Sequence, residues 1–210
     1  CKHNRFDGDS MKKIILIIIA VIAIIGVLIG VRTIGIYNQI IAFDESVKEK
    51  WAQVENAYQR RFDLIPNIVA SVQGEANFEK STLTEIVDAR SRMGGVVKVD
   101  ENMLNDEAAM KRFQETQASL GGALQRLMMV TENYPTLQSN KGFQDLRVQL
   151  EGAENRISVE RKRYNEIVKD YNTLIRQFPT NLVAGFAGAS PKVPFAADAS
   201  ASTAPKVEFK

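Results

Sequence analysis

Residues 36–69 decide the fold of this chain, and their sequence is IYNQIIAFDESVKEKWAQVENAYQRRFDLIPNIV. Apolar residues recur here at steps of four, three and four, repeated three times, at Ile36, Ile40, Phe43, Val47, Trp51, Val54, Tyr58, Phe62, Ile65 and Val69. An eleven-residue period keeps such a stripe almost straight along a helix, whereas a seven-residue repeat winds it left-handed. At about 1.5 Å per residue, the stretch predicts a rod roughly 50 Å long with one face that needs partners.

An uncharged segment precedes the rod. Residues 14–31 carry no charged side chain and are bounded by Lys12, Lys13 and Arg32. Eighteen helical residues span roughly 27 Å, which is close to the thickness of the bilayer hydrocarbon. A cleaved signal peptide is the alternative, but no small-x-small cleavage site is evident between Ile22 and Ile36. We therefore predict an uncleaved transmembrane helix.

The flanking charges predict the orientation of this helix. Basic residues are denser before the segment than just after it, so the positive-inside rule places the N-terminus in the cytoplasm and the bulk of the chain outside. Met11 followed by two lysines is typical of a natural start, which makes residues 1–10 a candidate upstream extension. A lipid anchor on Cys1 is a weaker alternative.

Small residues within the segment predict a helix contact. Gly26 and Gly30 form a GxxxG pair, and Ala23 adds a third small residue nearby. Two such helices can approach closely in a membrane. Small residues are also common in single membrane helices, so the ordinary alternative stays open.

Proline divides the rod. Pro66 lacks a backbone donor and crowds the carbonyl of Phe62, which predicts either a kink or a restart at 63–66, with Asp63 as the new cap.

Two further helical patterns follow. The second continues to Met93 and is ended by Gly94-Gly95; residues 94–104 are predicted to form a loop in which Val96–Val99 could be a short extended piece. Asn105 or Asp106 is predicted to cap a third helix that Tyr134-Pro135 closes.

The last helix is the most regular. Its apolar positions alternate steps of three and four over five heptads, typical of a coiled-coil seam, and they are Phe143, Leu146, Leu150, Ala153, Ile157, Glu160, Tyr164, Ile167, Tyr171, Leu174 and Phe178. Pro179 ends it. The Gly-, Pro-, Ala- and Ser-containing residues 179–210 predict a tail, although apolar residues spaced along it suggest that a neighbouring subunit holds it.

Composition excludes several classes of function. Four of the 27 Lys and Arg and two of the 25 Asp and Glu precede residue 32, so the rest of the chain is electrically balanced, unlike a nucleic-acid binder. His3 is the one histidine and precedes the anchor, which excludes a histidine-based triad or metal site in the soluble part. No phosphate-binding loop occurs. We predict no catalytic residue, no metal and no cofactor.

Polar clusters interrupt both long seams. The sharper interpretation is an inter-helix polar network that sets the helix register, formed by Arg60, Arg61, Glu151, Glu154, Asn155, Arg156 and Glu160. Because Glu160 occupies a seam position, it must be paired or exposed at a groove, and we expect it to meet Arg60 or Arg61. Ordinary solvated helix surface is the alternative.

These clusters carry a family resemblance. The run WAQVENAYQRRFDLIPN at 51–67 and the block QLEGAENRI at 149–157 resemble the two signatures of the LemA family of bacterial membrane proteins. Glu160-Arg161, Tyr164-Asn165, Tyr171-Asn172 and the closing PKVEF at 205–209 extend the likeness. Ala153 stands where the family pattern leads us to expect threonine. The resemblance implies one membrane span and an antiparallel bundle of long helices, and it implies no enzymatic activity.

The expected architecture is therefore all-α: a short segment at 1–13, a single transmembrane helix at 14–31, an elongated antiparallel bundle of about four long helices at 32–178, and a tail at 179–210. We expect a non-enzymatic, single-pass protein of the bacterial cytoplasmic membrane with its bundle outside. The leading hypothesis is a self-associating scaffold, because rods of this length are thinly covered in one copy. The alternative is a monomeric binding module for another membrane protein, such as a protease or envelope component.

Overall fold

The computed structural model describes residues 8–75, 78–93 and 101–196, with side chains from residue 11 and, after the second gap, from residue 103. Its elements are α1 (Gly8–Gln73), α2 (Lys80–Arg92), a 3₁₀ turn (Glu101–Asn105), α3 (Glu107–Thr131), α4 (Pro135–Ser139), α5 (Lys141–Arg176) and α6 (Thr180–Phe186). No strand occurs in these described ranges. The predicted all-α class is confirmed.

Helix α1 carries the chain from the apolar segment into the rod without a break. Its 66 residues correspond to about 99 Å of helix. From Met11 onward it is long and apolar enough to cross a membrane, and its most apolar stretch is wholly exposed.

Pro66 lies inside α1 rather than at a helix start. The helix runs to Gln73, so the predicted restart at 63–66 is wrong, and Asp63 accepts a hydrogen bond from Gln59 Nε2 at 2.6 Å instead of capping. Ile65 and Ile68 on either side of the proline are 1% and 0% exposed. Burying such side chains contributes about 1.5–3 kcal/mol each, which offsets the ~3 kcal/mol cost of proline in a helix interior.

The apolar stripe of α1 is covered within one copy of the chain. Ile40, Val47, Trp51, Val54, Tyr58 and Ile65 are buried, and Ile36, Phe43, Phe62 and Val69 pack against the core. The main neighbour of α1 is α5, while α2 packs on α3. The expectation that one copy leaves these stripes thinly covered therefore does not hold.

Helix ends follow local chemistry. Asp106 Oδ1 accepts from the backbone amides of Ala108 and Ala109 at 2.9 and 3.1 Å, which confirms Asp106 as the cap of α3. Pro135 opens the short helix α4 rather than closing α3, because a proline fits the first helical turn without losing a hydrogen bond. Asn140 then caps α5 through Phe143 N at 3.1 Å. The predicted final helix is confirmed within two residues at each end.

The predicted tail is folded as far as Ala196. Thr180 and Ala184 of α6 are buried, and the extended segment Pro191–Ala196, called the strap here, returns along α5. Asn172 bonds the backbone N and O of Lys192 at 2.8 Å each, and Asn165 bonds those of Phe195 at 2.8 and 3.1 Å. Residues of the same chain therefore hold this part of the predicted tail.

Several predictions fall outside the described residues. They concern the Gly94-Gly95 stop, the extended piece at Val96–Val99, residues 1–7, and the tail beyond Ala196.

Candidate functional site

An open groove of about 820 Å³ lies between α3 and α5, with α1 beneath it. The name α3/α5 groove is used for the space lined by Tyr58 and Arg61 of α1, by Gln114, Gln117, Gly121, Gly122, Gln125 and Met128 of α3, and by Arg147, Leu150, Glu151, Glu154, Ile157 and Arg161 of α5, among others. Its ends are separated by seventeen residues on the α3 wall, from Lys111 to Met128, and by fourteen on the α5 wall, from Arg147 to Arg161, which corresponds to roughly 21–26 Å.

Arg61 is the buried charge of this groove. Its side chain is 4% exposed; Nη1 donates to Glu154 Oε1 at 3.0 Å, and Nη2 donates to Gln117 Oε1 at 2.5 Å and to the Gln117 carbonyl at 3.2 Å. Its Nε is buried and has no hydrogen-bond partner. A buried guanidinium needs such partners because desolvation of an unpaired charge is costly. The arrangement ties α1 to both walls of the groove.

Two glycines of α3 line the groove and contribute no side chain to its wall. A Cβ added at Gly121 would lie 3.4 Å from Arg61 Nη1, whereas one added at Gly122 would meet nothing within 4 Å. At the first glycine a methyl group would be in van der Waals contact with the guanidinium, and the second glycine faces open space.

The structure brings together only part of the predicted polar network. Arg61 meets Glu154, Glu151 pairs with Arg147 at 3.3 Å, and Glu160 pairs with Arg156 and Arg163 at 3.5 and 3.0 Å. The other predicted members, Arg60 and Asn155, are exposed, with Asn155 on the groove wall.

The predicted partner of Glu160 is wrong. This carboxylate is 2% exposed and bonds arginines of its own helix, not Arg60 or Arg61. Arg61 faces Glu154, and six residues of helix, about 9 Å, separate Glu154 from Glu160. Arg61 is therefore at the wrong level along α5 to meet it.

Sequence reasoning missed Gln117. It is 4% exposed and supplies two of the oxygens that Arg61 bonds. A signal was present, because Gln117 lies four residues after Phe113 and three before Leu120, at core spacing on α3.

A second set of contacts closes the crevice beside the groove. The ring of Phe195, from the strap, lies 5.7 Å from Trp51, 6.4 Å from Phe113 and 5.5 Å from Tyr164. The Tyr164 hydroxyl donates to the Val193 carbonyl at 3.0 Å, and burial raises the pKa of this tyrosine well above its usual range. Ala196 ends the strap at the mouth of the groove, where its amide donates to Gln114 Oε1 at 3.0 Å.

An ion pair holds the other end of the strap. Lys192 Nζ donates to Asp44 Oδ1 at 2.8 Å and lies 5.7 Å from the centre of the Tyr171 ring. Partial burial opposes ionisation of Asp44, but hydrogen bonds from Lys192 and Lys48 outweigh it and hold the pKa of this carboxyl below its usual value. The charged form of Asp44 is therefore part of the folded state.

Two predicted features concern metals and the anchor. The described residues contain no group of three His, Cys, Asp or Glu placed to hold a metal ion.

In the anchor, a Cβ added at Gly26 or Gly30 would meet nothing within 4 Å. Contact between two anchors through Ala23, Gly26 and Gly30 stays a prediction.

Comparison with known proteins gives three informative relatives. The chain is 28% identical to magnetosome protein MamQ 2 of Paramagnetospirillum magneticum over 188 residues, covering 80% of this chain and 68% of the relative. It is 28% identical to magnetosome protein MamQ of Magnetospirillum gryphiswaldense over 171 residues, covering 72% of this chain and 61% of the relative. It is 25% identical to protein LemA of Metamycoplasma hominis over 166 residues, covering 75% and 71%.

The family model for the LemA family matches residues 50–209, well over half of the chain. This match covers Arg61, Gln117 and Glu154 of the groove and the whole strap. The chain belongs to the LemA family.

Proposed function

We propose that this protein is a non-enzymatic, membrane-anchored binding module whose α3/α5 groove takes a segment of another membrane protein. The observation that carries the proposal is the groove itself: about 820 Å³ stays open above a buried, hydrogen-bonded Arg61, while one copy covers its own apolar stripes. Open grooves with an apolar floor and a few placed polar groups are typical binding sites.

The proposal includes an antiparallel bundle. Trp51 contacts Tyr164 and Arg61 bonds Glu154, so residue numbers that rise along α1 fall along α5. Arg90 lies over the ring of Phe62, and Arg126 bonds Glu85 at 2.9 Å. These pairs support an up-down-up-down order of α1, α2, α3 and α5.

The dimensions favour a protein segment as the occupant. A groove roughly 21–26 Å long corresponds to about four to five helical turns. Leu124, Leu150 and Ile157 form an apolar floor of the groove. Acidic and basic side chains, such as Glu115 and Arg147, also line it. An amphipathic segment with both charge signs matches this pattern better than a compact anion does.

The lining chemistry supports binding rather than catalysis. Among the described residues, the side chains that line the groove include no Ser, Thr, Cys or His, so they offer neither a usual nucleophile nor an imidazole base. Among its carboxylates, Glu151 and Glu154 are engaged with arginines and Glu115 with Lys111.

The anchor supplies the location. An exposed apolar helix bounded by Lys12, Lys13 and Arg32 supports a single membrane pass, and the charge bias supports a cytoplasmic N-terminus and an external bundle at the bacterial cytoplasmic membrane.

A self-associating scaffold is the second candidate. The observation that favours it is the open surface around Gly26 and Gly30, which permits close approach of another anchor helix. In this version the copies meet inside the membrane, because the stripes of the soluble helices are already covered.

Site-specific photocrosslinking in cells that express the full chain tests these candidates. A photoreactive side chain replaces Gln125, an exposed residue of the groove, and in a matched strain it replaces Val148, which is 66% exposed and lies outside the groove. We expect an adduct with a different protein from position 125 and none from position 148.

The mass of the adduct separates the outcomes. An adduct of two copies of this chain from position 125 would make a second copy the occupant of the groove, whereas such an adduct from a photoreactive side chain at Ile29, beside Gly30, would support self-association through the anchor. Equal crosslinking from positions 125 and 148, or none from either, contradicts the groove as a binding site.

A further inference from the structure

Large apolar side chains are exposed in the turn after α5 and along α6. Phe178, Leu182 and Phe186, called the end patch here, are spaced four residues apart and are 81%, 58% and 96% exposed. Phe186 and Phe178 have the two highest exposures among the large apolar side chains that the structure describes. Leu182 and Phe186 are four residues apart and share one face of α6, and Phe178 lies in the turn that leads into this helix.

Helix α6 exposes its largest apolar side chains and buries small ones. Its buried residues are the small Thr180 and Ala184, and it packs on both α1 and α5. A surface helix in water buries its large apolar residues. In α6 Val183 packs against the core, whereas Leu182 and Phe186 are exposed, which favours contact of these two side chains with an apolar phase.

Contacts along α1 and α5 place the end patch beside the anchor. Arg61 is level with Glu154, Trp51 with Tyr164, and Asp44 with Tyr171 through Lys192. Each step along α1 thus matches an equal step back along α5.

The same correspondence brings Phe178 to the level of Tyr37. Tyr37 follows the uncharged segment, which ends at Val31, by six residues, or about 9 Å of helix. The headgroup layer on each side of the hydrocarbon is roughly 5–8 Å thick. Phe178 therefore lies near the height where headgroups end, as does the side chain of Tyr37, which is 46% exposed, and α6 begins two residues after Phe178.

The charges of this end suit a lipid surface. Residues 32–43 and 171–196 contain no Asp or Glu, although the sequence as a whole contains 25. Arg32 and Arg176 are exposed there, and Lys192 is paired with Asp44. Membrane surfaces that carry anionic lipids attract basic side chains and repel carboxylates.

We propose that the end patch inserts into the interfacial layer of the membrane that the anchor crosses, so that the bundle touches the bilayer at a second point. Phe178, Leu182 and Phe186 enter the headgroup layer from its water side, and Arg32 and Arg176 face lipid phosphates. Two contacts hold the bundle at one tilt and keep the α3/α5 groove at a set height. This inference rests on the proposed membrane anchor.

Depth-dependent quenching of the full chain in vesicles tests the proposal. Cys1 is replaced by serine, and an environment-sensitive fluorophore is attached at Phe186→Cys or, in a second variant, at Phe178→Cys. The protein is reconstituted in phosphatidylcholine and phosphatidylglycerol vesicles, with lipids that carry a quencher near the headgroup or with iodide in the water. We expect both labels to be quenched several-fold more by lipid, and several-fold less by iodide, than a label at Val148→Cys.

Val148 is the matched control because its apolar side chain is 66% exposed on α5, 30 residues before Phe178, or about 45 Å of helix. A label at Ile22→Cys reports on the anchor separately. If Ile22 is lipid-quenched while labels 178 and 186 behave like label 148, the end-patch proposal is overturned and the anchor stands. If Ile22 is not lipid-quenched, both fall. Labels at 178 and 186 shielded from both quenchers indicate a protein contact and overturn the lipid assignment.

Discussion

The crevice between α1, α3 and α5 is closed in one half and open in the other. In the closed half, the strap seals Trp51, Phe113 and Tyr164 beneath Phe195. In the open half, Arg61 is held by Gln117 and Glu154 under a groove of about 820 Å³. Ala196 marks the border, because it belongs to the strap and also lines the groove.

The difference shows how one helix stripe serves two purposes. Aromatic rings gain free energy when apolar side chains exclude water from them, so the chain covers that half with its own residues. A guanidinium needs oxygen partners, and Gln117 and Glu154 supply them from two helices without filling the space above. Trp51 and Arg61 are ten residues apart on α1, and the strap reaches only the first.

The largest effect is expected from opening the closed half. Phe195→Ala removes a ring that is 4% exposed, and we expect a loss of about 3–4 kcal/mol in the free energy of unfolding. Denaturant unfolding of the purified full chain in detergent measures it. Phe186→Ala is the control, because its ring is 96% exposed and its loss should change stability little. Equal effects of the two changes would mean that the strap does not seal the crevice.

A smaller effect is expected from unpairing the arginine in the open half. Glu154→Ala leaves the buried Arg61 without its carboxylate, and we expect a loss of about 2 kcal/mol because Glu154 itself is partly exposed. Glu151→Ala breaks an exposed pair with Arg147 and should cost under about 0.5 kcal/mol.

A double change sharpens this test. Replacing both partners, as Arg61→Met with Glu154→Ala, should recover part of the loss, since no charge is then left buried. If the double variant is no more stable than Glu154→Ala, the penalty does not come from an unpaired Arg61.

Apart from the control change at Glu151, the smallest effect is expected at the ion pair that holds the start of the strap. Asp44→Asn weakens the bond to Lys192 and should cost about 1 kcal/mol at neutral pH. Because folding lowers the pKa of Asp44, its contribution is full above its usual pKa, near 4, and disappears as the pH falls through the lower folded value. The stability difference between wild type and variant should therefore shrink below about pH 4. A difference that does not change between pH 7 and pH 3 contradicts this role.

Local patterns predicted the long helices well and their interruptions less well. The seam from Phe143 to Phe178 predicts α5 because periodicity is a property of neighbouring residues. The helix restart predicted at Pro66 was wrong because the cost of proline in a helix can be read from the local sequence. The burial of Ile65 and Ile68, which offsets this cost, depends on tertiary packing. The strap was predicted as tail because residues 179–210 are rich in Gly, Pro, Ala and Ser, while Asn165 and Asn172 bond its backbone, which composition does not reveal.

The sequence by itself determined the all-α class, the exposed apolar helix that leads into the rod, and the family, since each depends on spacing and residue order along one segment. Only the tertiary structure decided that Arg61 meets Glu154 and Gln117 while Glu160 stays with Arg156 and Arg163. The physical reason is that an inter-helix pair depends on how far one helix is shifted and rotated against another, and a shift of about 9 Å along α5 separates the two carboxylates. The tertiary structure likewise decided which half of the crevice the strap closes, because Asn165 and Asn172 bond the strap backbone on the far side of Glu160 from Glu154.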